Sequence, residues 1–277
     1  MILITGSSGQ VGQATLRHLR PTDAIVRCAD RDASPGEPDS VRFDFLDPDT
    51  FEAALAGVDV VLLIRPPQLA KPRQDMLPFL MACKRDGIRR VVFLSLQGAD
   101  RNGFTPHAKI EGLIRECGLD FTFLRPSFFM QNLTGTHRAE IRDEQRIMVP
   151  AGQGRTNFID VDDIGAVAAR VLIEDGHTNR AYELTGSDSW TYAEVADRLS
   201  RTTGRLIRYE RPGVFRFLAH HLRKGTPFRF ALVMAAIYTI ARLGRASGTT
   251  DTVRQLLGRP PRSLPDFIEE HRDLWLT

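Results

Sequence analysis

The glycine run Gly6-Ser-Ser-Gly9-Gln-Val-Gly12 constrains this chain more than any other feature. It lies between a short apolar run, Ile2–Ile4, and a segment in which Val11, Thr15 and Leu19 recur at helical spacing. A strand, a glycine turn and a helix in that order form the cradle for a dinucleotide pyrophosphate. The glycines permit a tight turn and close backbone approach to the phosphates. The helix start adds free N–H groups and a dipole that favours the anion. Gly6, Ser7, Ser8, Gly9, Gln10, Val11 and Gly12 are therefore cofactor-binding candidates.

The alternation continues downstream. Ala24–Ala29, Val41–Phe45, Val58–Ile64, Val91–Leu94 and Phe121–Leu124 read as strands, and 51–55, 74–85 and 107–117 as helices. Val58–Ile64 is a continuous apolar run, as expected for a central parallel strand buried on both faces. The fold class expected is α/β, a doubly wound parallel sheet of Rossmann type with a smaller C-terminal domain. The expected division is 1–187 for the dinucleotide-binding domain and 188–277 for a substrate domain. A returning strand and helix at 156–175 belong to the first, and a helical lid at 212–248 to the second.

Asp30 stands 18 residues after Gly12, where an acid meets the adenosine ribose hydroxyls. Arg31 follows and suits a 2′-phosphate. Asp30 points to NAD(H) and Arg31 to NADP(H). The expectation is NADP(H), with NAD(H) as the alternative. Asp44 and Phe45 would flank the adenine.

Composition narrows the class. The net charge of +3 and the absence of a nucleic-acid motif argue against a nucleic-acid partner. Cys28, Cys83 and Cys117 form no CxxC and no metal-ligand spacing, so no metal is expected. The opening Met-Ile-Leu-Ile-Thr-Gly has no signal-peptide pattern, and the apolar stretch 230–241 falls short of the about 20 residues a bilayer requires. A cytoplasmic protein without a membrane partner is expected.

The chain resembles the atypical short-chain dehydrogenase/reductases of the NmrA-like branch, near bacterial quinone and triphenylmethane reductases. The resemblance is carried by Thr5-Gly-Ser-Ser-Gly-Gln-Val-Gly12, Phe43-Asp-Phe-Leu-Asp47, Val91-Val-Phe-Leu-Ser95 and His107-Ala-Lys-Ile-Glu111. Thr122-Phe-Leu-Arg-Pro-Ser-Phe-Phe-Met-Gln-Asn132, Phe158-Ile-Asp-Val-Asp-Asp-Ile164, Tyr182-Glu-Leu-Thr-Gly186 and Leu256-Leu-Gly-Arg-Pro-Pro261 extend it over nearly the whole chain. It implies further cofactor contacts at Ile64, Arg65 and Pro66, at Ser95, and at Pro126, Ser127 and Phe128.

One departure is informative. The superfamily's YxxxK pair is missing, because none of Tyr182, Tyr192, Tyr209 and Tyr238 has a Lys four residues on. Counting back from Glu111, His107 stands at the Lys position and Gly103 at the Tyr position. Ser95 and His107 are the remaining catalytic candidates. His107 is also one for holding the cofactor ribose. A positioned acid adds about 10²–10⁴-fold to such a reaction. A quinone or phenol-flanked ketone stabilises its own developing oxyanion and dispenses with that acid. The expected activity is therefore NADPH-dependent reduction of a bulky aromatic ketone or quinone, with protonation by substrate or solvent. Angucyclinone-type aromatic polyketides, made in antibiotic biosynthesis, are one such class. Phe129, Met130, Asn132, Phe215 and Tyr238 are the substrate-contact candidates. The alternative is a non-enzymatic NAD(P)-binding sensor acting through a protein partner.

Overall fold

The computed structural model describes residues 1–33 and 39–276. The chain divides into two compact units, and each is interrupted in sequence. The first holds Met1–Pro126, Val161–Leu184 and Gln255–Gly258, the second Ser127–Asp160, Thr185–Arg254 and Arg259–Thr277. The single boundary expected at residue 187 is thus replaced by repeated crossings. The chain leaves the first unit after Pro126 and returns at Val161 to complete it.

The first unit is built on a seven-stranded sheet. Its order is Arg180–Leu184, Phe121–Pro126, Arg90–Leu94, Val60–Leu63, Ile2–Thr5, Val26–Asp30 and Ser40–Arg42. Every pairing is parallel. Val60–Leu63 is central and wholly buried, which explains why its sequence is apolar without alternation. The strand expected at Val41–Phe45 spans only Ser40–Arg42. Phe43 and Phe45 turn inward beyond its end and join Phe51 and Phe79 in an edge-to-face aromatic cluster.

The helix Gln10–Leu19 buries Val11, Gly12, Ala14, Thr15 and Leu19, the period read from the sequence. Its neighbour is Val161–Ile173, reached after the second unit's first segment. Gly165 makes this packing possible, since a Cβ there would lie 2.5 Å from Ala14 Cβ and 2.6 Å from its carbonyl carbon.

The second unit has a three-stranded sheet, Ser189–Thr191, Arg155–Ile159 and Phe128–Phe129, and a parallel pair, Arg208–Tyr209 with Arg146–Ile147. The helix Tyr192–Thr203 opens with a capping box between Thr191 and Glu194. Trp275, Tyr192, Phe158, Phe217 and Phe267 fill its core. Two further helices, Val214–Arg223 and Phe228–Arg242, are joined by a turn at Gly225, whose φ of +79° suits glycine.

Candidate functional site: a dinucleotide cradle

The glycine loop begins where the first strand ends. Gly6 takes a φ of +63°, and its carbonyl accepts the Gly9 N–H at 3.1 Å, closing the turn. Gly9 then caps the helix with no side chain over its N-terminus, and no acidic residue sits in the first turn. The free N–H groups are left for an anion. At Gly12 a Cβ would lie 2.5 Å from the Gly6 carbonyl oxygen and 2.7 Å from Ser7 Cα. The loop and the helix therefore occupy the space of that missing side chain, and the backbone fits a pyrophosphate.

Asp30 ends the second strand beside this loop. Its carboxylate accepts hydrogen bonds from Ser7 Oγ, from Ser8 Oγ at 2.9 Å and from the Ser8 N–H at 3.2 Å. Both serines of the motif thus tie the loop to the end of the second strand. Arg31 is exposed and makes no hydrogen bond or ion pair among the described residues. Asp44 is half-buried, and its carboxylate accepts the Leu46 N–H at 2.9 Å. Phe45 corrects an expectation. At 5% exposure its ring belongs to the aromatic core, so it offers no side-chain surface to an adenine.

At the carboxyl end of the central strand, Ile64 packs 3.5 Å from the position of a Gly6 Cβ. The Thr5 hydroxyl accepts the Ile64 N–H at 2.8 Å and locks the two strand ends together. The Arg65 guanidinium folds back on its own loop. Its Nη1 donates to the carbonyls of Pro66 at 2.9 Å, Pro67 at 3.2 Å and Leu69 at 2.7 Å, while Nε is buried without a partner.

Ser95 stands elsewhere in the chemistry than expected. Its hydroxyl donates to Glu111 Oε1 at 2.7 Å, and Glu111 also accepts from Arg125 Nε at 2.9 Å and Nη2 at 2.7 Å. Ser95, Glu111 and Arg125 are all buried. With its proton committed to a carboxylate, Ser95 keeps only acceptor capacity. Its assignment as a donor is therefore corrected to a structural one. Glu111 and Arg125 were missed as a pair. The available signal was a charged residue within the apolar stripe of one helix and another directly after an apolar strand run.

His107 lies in the first turn of the helix Pro106–Glu116, which Thr105 caps through the Ala108 N–H at 3.2 Å. Its ring stacks on Phe93 with centroids 6.1 Å apart, and Nδ1 is buried with no partner. Burial, aided by the nearby Arg65 charge, lowers its pKa to about 4. At neutral pH the imidazole is uncharged, so it cannot replace a lysine's charge but can share a hydrogen bond. Gly103, at the Tyr position, has open space where a side chain would be.

This depressed pKa sets a sign for stability. An unfolded histidine titrates near 6.5, so the unfolded chain takes up the proton first as pH falls. The stabilising contribution is complete above about pH 6.5 and is lost as pH falls toward 4. Urea midpoints are expected to decline through that window. His107→Gln should abolish roughly 3 kcal/mol of the decline. An unchanged pH dependence in the variant would show that His107 titrates normally.

The remaining candidates separate. The Ser127 hydroxyl donates to Asn157 Oδ1 at 2.8 Å, and Asn157 Nδ2 donates to Gly186 and Asp188 carbonyls, both at 2.9 Å. Ser127 therefore braces its own unit. Pro126 is buried at the end of its strand. Phe128 and Phe129 are half-buried, with the Phe128 ring 6.3 Å from that of Tyr238. Asn132 is half-buried and its carbonyl accepts the His137 N–H at 2.9 Å. Two substrate assignments are corrected by burial. Met130 is 1% exposed and belongs to the core, and Tyr238 is 5% exposed with its hydroxyl 2.5 Å from His137 Nε2. Phe215 is the opposite case, 88% exposed on the outer face of its helix. No cluster among the described residues could hold a metal ion.

A seven-stranded parallel sheet with a glycine loop at the start of its first helix defines a Rossmann-type dinucleotide-binding protein. The chain belongs to the NmrA-like family, which it matches over residues 1–254. It is 34% identical to an uncharacterized oxidoreductase, YesF, of Bacillus subtilis, covering 100% of this chain and 96% of that protein. It is 32% identical to the NAD(P)H azoreductase of Xenophilus azovorans, covering 98% of both. Among solved structures, an NADPH-dependent quinone oxidoreductase of Escherichia coli, complexed with NADPH, superposes with a TM-score of 0.89. It is 25% identical, covering 98% of this chain and 99% of that one.

Proposed function

We propose that this chain reduces bulky aromatic quinones or phenol-flanked ketones with NADPH, the proton being drawn from substrate or solvent. That it is an NAD(P)H-dependent oxidoreductase accords with the azoreductase and quinone oxidoreductase among its relatives. The observation that carries the finer reading is the lack of a protonated acid at the family positions. Ser95 donates to Glu111, His107 is neutral, and Gly103 brings no side chain. Such a site suits an acceptor that stabilises its own oxyanion, as a quinone does in becoming a hydroquinone and a phenol-flanked ketone does by hydrogen-bonding its developing alkoxide.

The glycine loop and the start of the helix Gln10–Leu19 would hold the pyrophosphate, and Arg31 a 2′-phosphate. His107 Nδ1 and Arg65 Nε are buried polar atoms without partners, fitted to hydrogen-bond the rest of the cofactor. When bound, the reduced dinucleotide supplies the hydride. The protein's part is then to orient the reactants and exclude water. An aromatic polyketide remains one candidate within this substrate class.

The test is NADPH and NADH oxidation against a panel of quinones and phenol-flanked polycyclic ketones. Turnover is expected, with NADPH preferred. Arg31→Ala should lower kcat/KM for NADPH by about tenfold, the scale of one charge-assisted contact, and leave NADH nearly unchanged. Equal losses with both cofactors would remove Arg31 from phosphate recognition. Tight NADPH binding without turnover of any acceptor would overturn the reductase reading.

A further inference from the structure

The helices Val214–Arg223 and Phe228–Arg242 carry more than a core requires. The second buries Ala231, Met234, Ala235, Tyr238 and Ala241 on one face. On the other it exposes Val233 at 55%, Ile237 at 42% and Ile240 at 39%, spaced as one stripe. Phe215, Phe228 and Leu243 are also exposed, at 88%, 57% and 66%. Of the sixteen large apolar side chains exposed among the described residues, nine fall between 215 and 243. Scattered apolar residues need no explanation, but a concentration of this kind marks an interaction surface.

Charge identifies the partner. Residues 211–250 contain seven Arg and Lys and no Asp or Glu. The rest of the chain has thirty basic against thirty-four acidic residues, a net −4. Arg223, Arg229 and Arg245 are exposed and form no ion pair among the described residues. A second copy of the chain would set like charge against like, which disfavours that pairing. An apolar stripe among unpaired arginines is instead the composition of a helix lying in an anionic membrane interface.

We propose that the helical pair 214–242 docks the protein peripherally on an anionic lipid surface, with the stripe Val233, Ile237 and Ile240 entering the headgroup boundary. No described helix is long and apolar enough to cross a membrane, so the contact is peripheral. The sequence expectation of no membrane partner is revised to that extent. The proposal stands independently of the substrate reading.

The experiment is co-sedimentation of the full-length chain with vesicles of phosphatidylcholine, with and without phosphatidylglycerol, at low and high salt. Binding is expected only to the anionic vesicles and should weaken as salt screens the arginines. Neutralising Arg223 and Arg229 to Gln should cost about fivefold each. The triple variant Val233→Ser, Ile237→Ser, Ile240→Ser should lose binding at least tenfold. Its melting temperature and NADPH affinity report that it is folded. Absence of binding by the folded parent would overturn the proposal, as would equal binding to neutral and anionic vesicles. A concentration-dependent dimer abolished by the triple variant, without vesicle binding, would assign the face to a second copy instead.

Discussion

Gly12→Ala should lower NADPH affinity by about 10²-fold, the cost of misplacing a binding group by about an ångström. The added Cβ would meet the Gly6 carbonyl oxygen at 2.5 Å and Ser7 Cα at 2.7 Å. Both are backbone atoms of the phosphate loop and cannot rotate away. The helix must retreat or the loop must open, and either change spoils the N–H array that the anion meets. Overpacking should also cost about 1–3 kcal/mol of stability. Fluorescence titration with NADPH, beside a urea denaturation curve, separates the two effects. Wild-type affinity in the variant would mean that the dinucleotide does not sit on this loop. Gly9 is a built-in comparison, because a Cβ there would meet only the Gly6 carbonyl, at 3.3 Å. Gly9→Ala should therefore be milder.

The second large effect is expected at Glu111. Glu111→Ala removes the partner of Arg125, leaving a guanidinium 7% exposed without its bidentate carboxylate. Breaking a buried pair from one side costs about 3–5 kcal/mol. Asp100, whose carboxylate is 3.5 Å from Arg125 Nη1, compensates only in part. The double variant Glu111→Leu, Arg125→Met should recover most of that loss, because no charge is then stranded. If the single and double variants unfold at the same urea concentration, the penalty does not come from an unpaired Arg125. Ser95→Ala, by contrast, should cost only about 1 kcal/mol, the net value of an ordinary hydrogen bond.

These residues also mark the limit of what could be read from sequence. The glycine loop, its helix and the central apolar strand were legible because each is a local pattern with one physical meaning. Asp30 was placed correctly at the strand end, yet its bonds to Ser7 and Ser8 join residues more than twenty positions apart. The charges at Glu111 and Arg125 stood out within apolar patterns, but their pairing with each other and with Ser95 could not be read. No periodicity tells a buried Glu which Arg will meet it. Phe45, Met130 and Tyr238 show a different ambiguity. An aromatic or thioether side chain near a strand end or on a helix is equally consistent with a pocket wall and with a core, and here burial selects the core. The crossings at Pro126 and Val161 join segments distant in sequence, and no local pattern states which unit a segment packs into.

The close fit of Val161–Ile173 against Gln10–Leu19 has a consequence for how the protein is made. The outer face of the first helix stays bare until its partner emerges more than 140 residues later. At about 5–20 residues per second, a ribosome leaves that face uncovered for roughly 7–30 s. During this interval the nascent amino-terminal half presents sticky surface to chaperones and to its neighbours on the same message. Slowing elongation across codons 20–160 should therefore lower the soluble yield more than slowing it after residue 185.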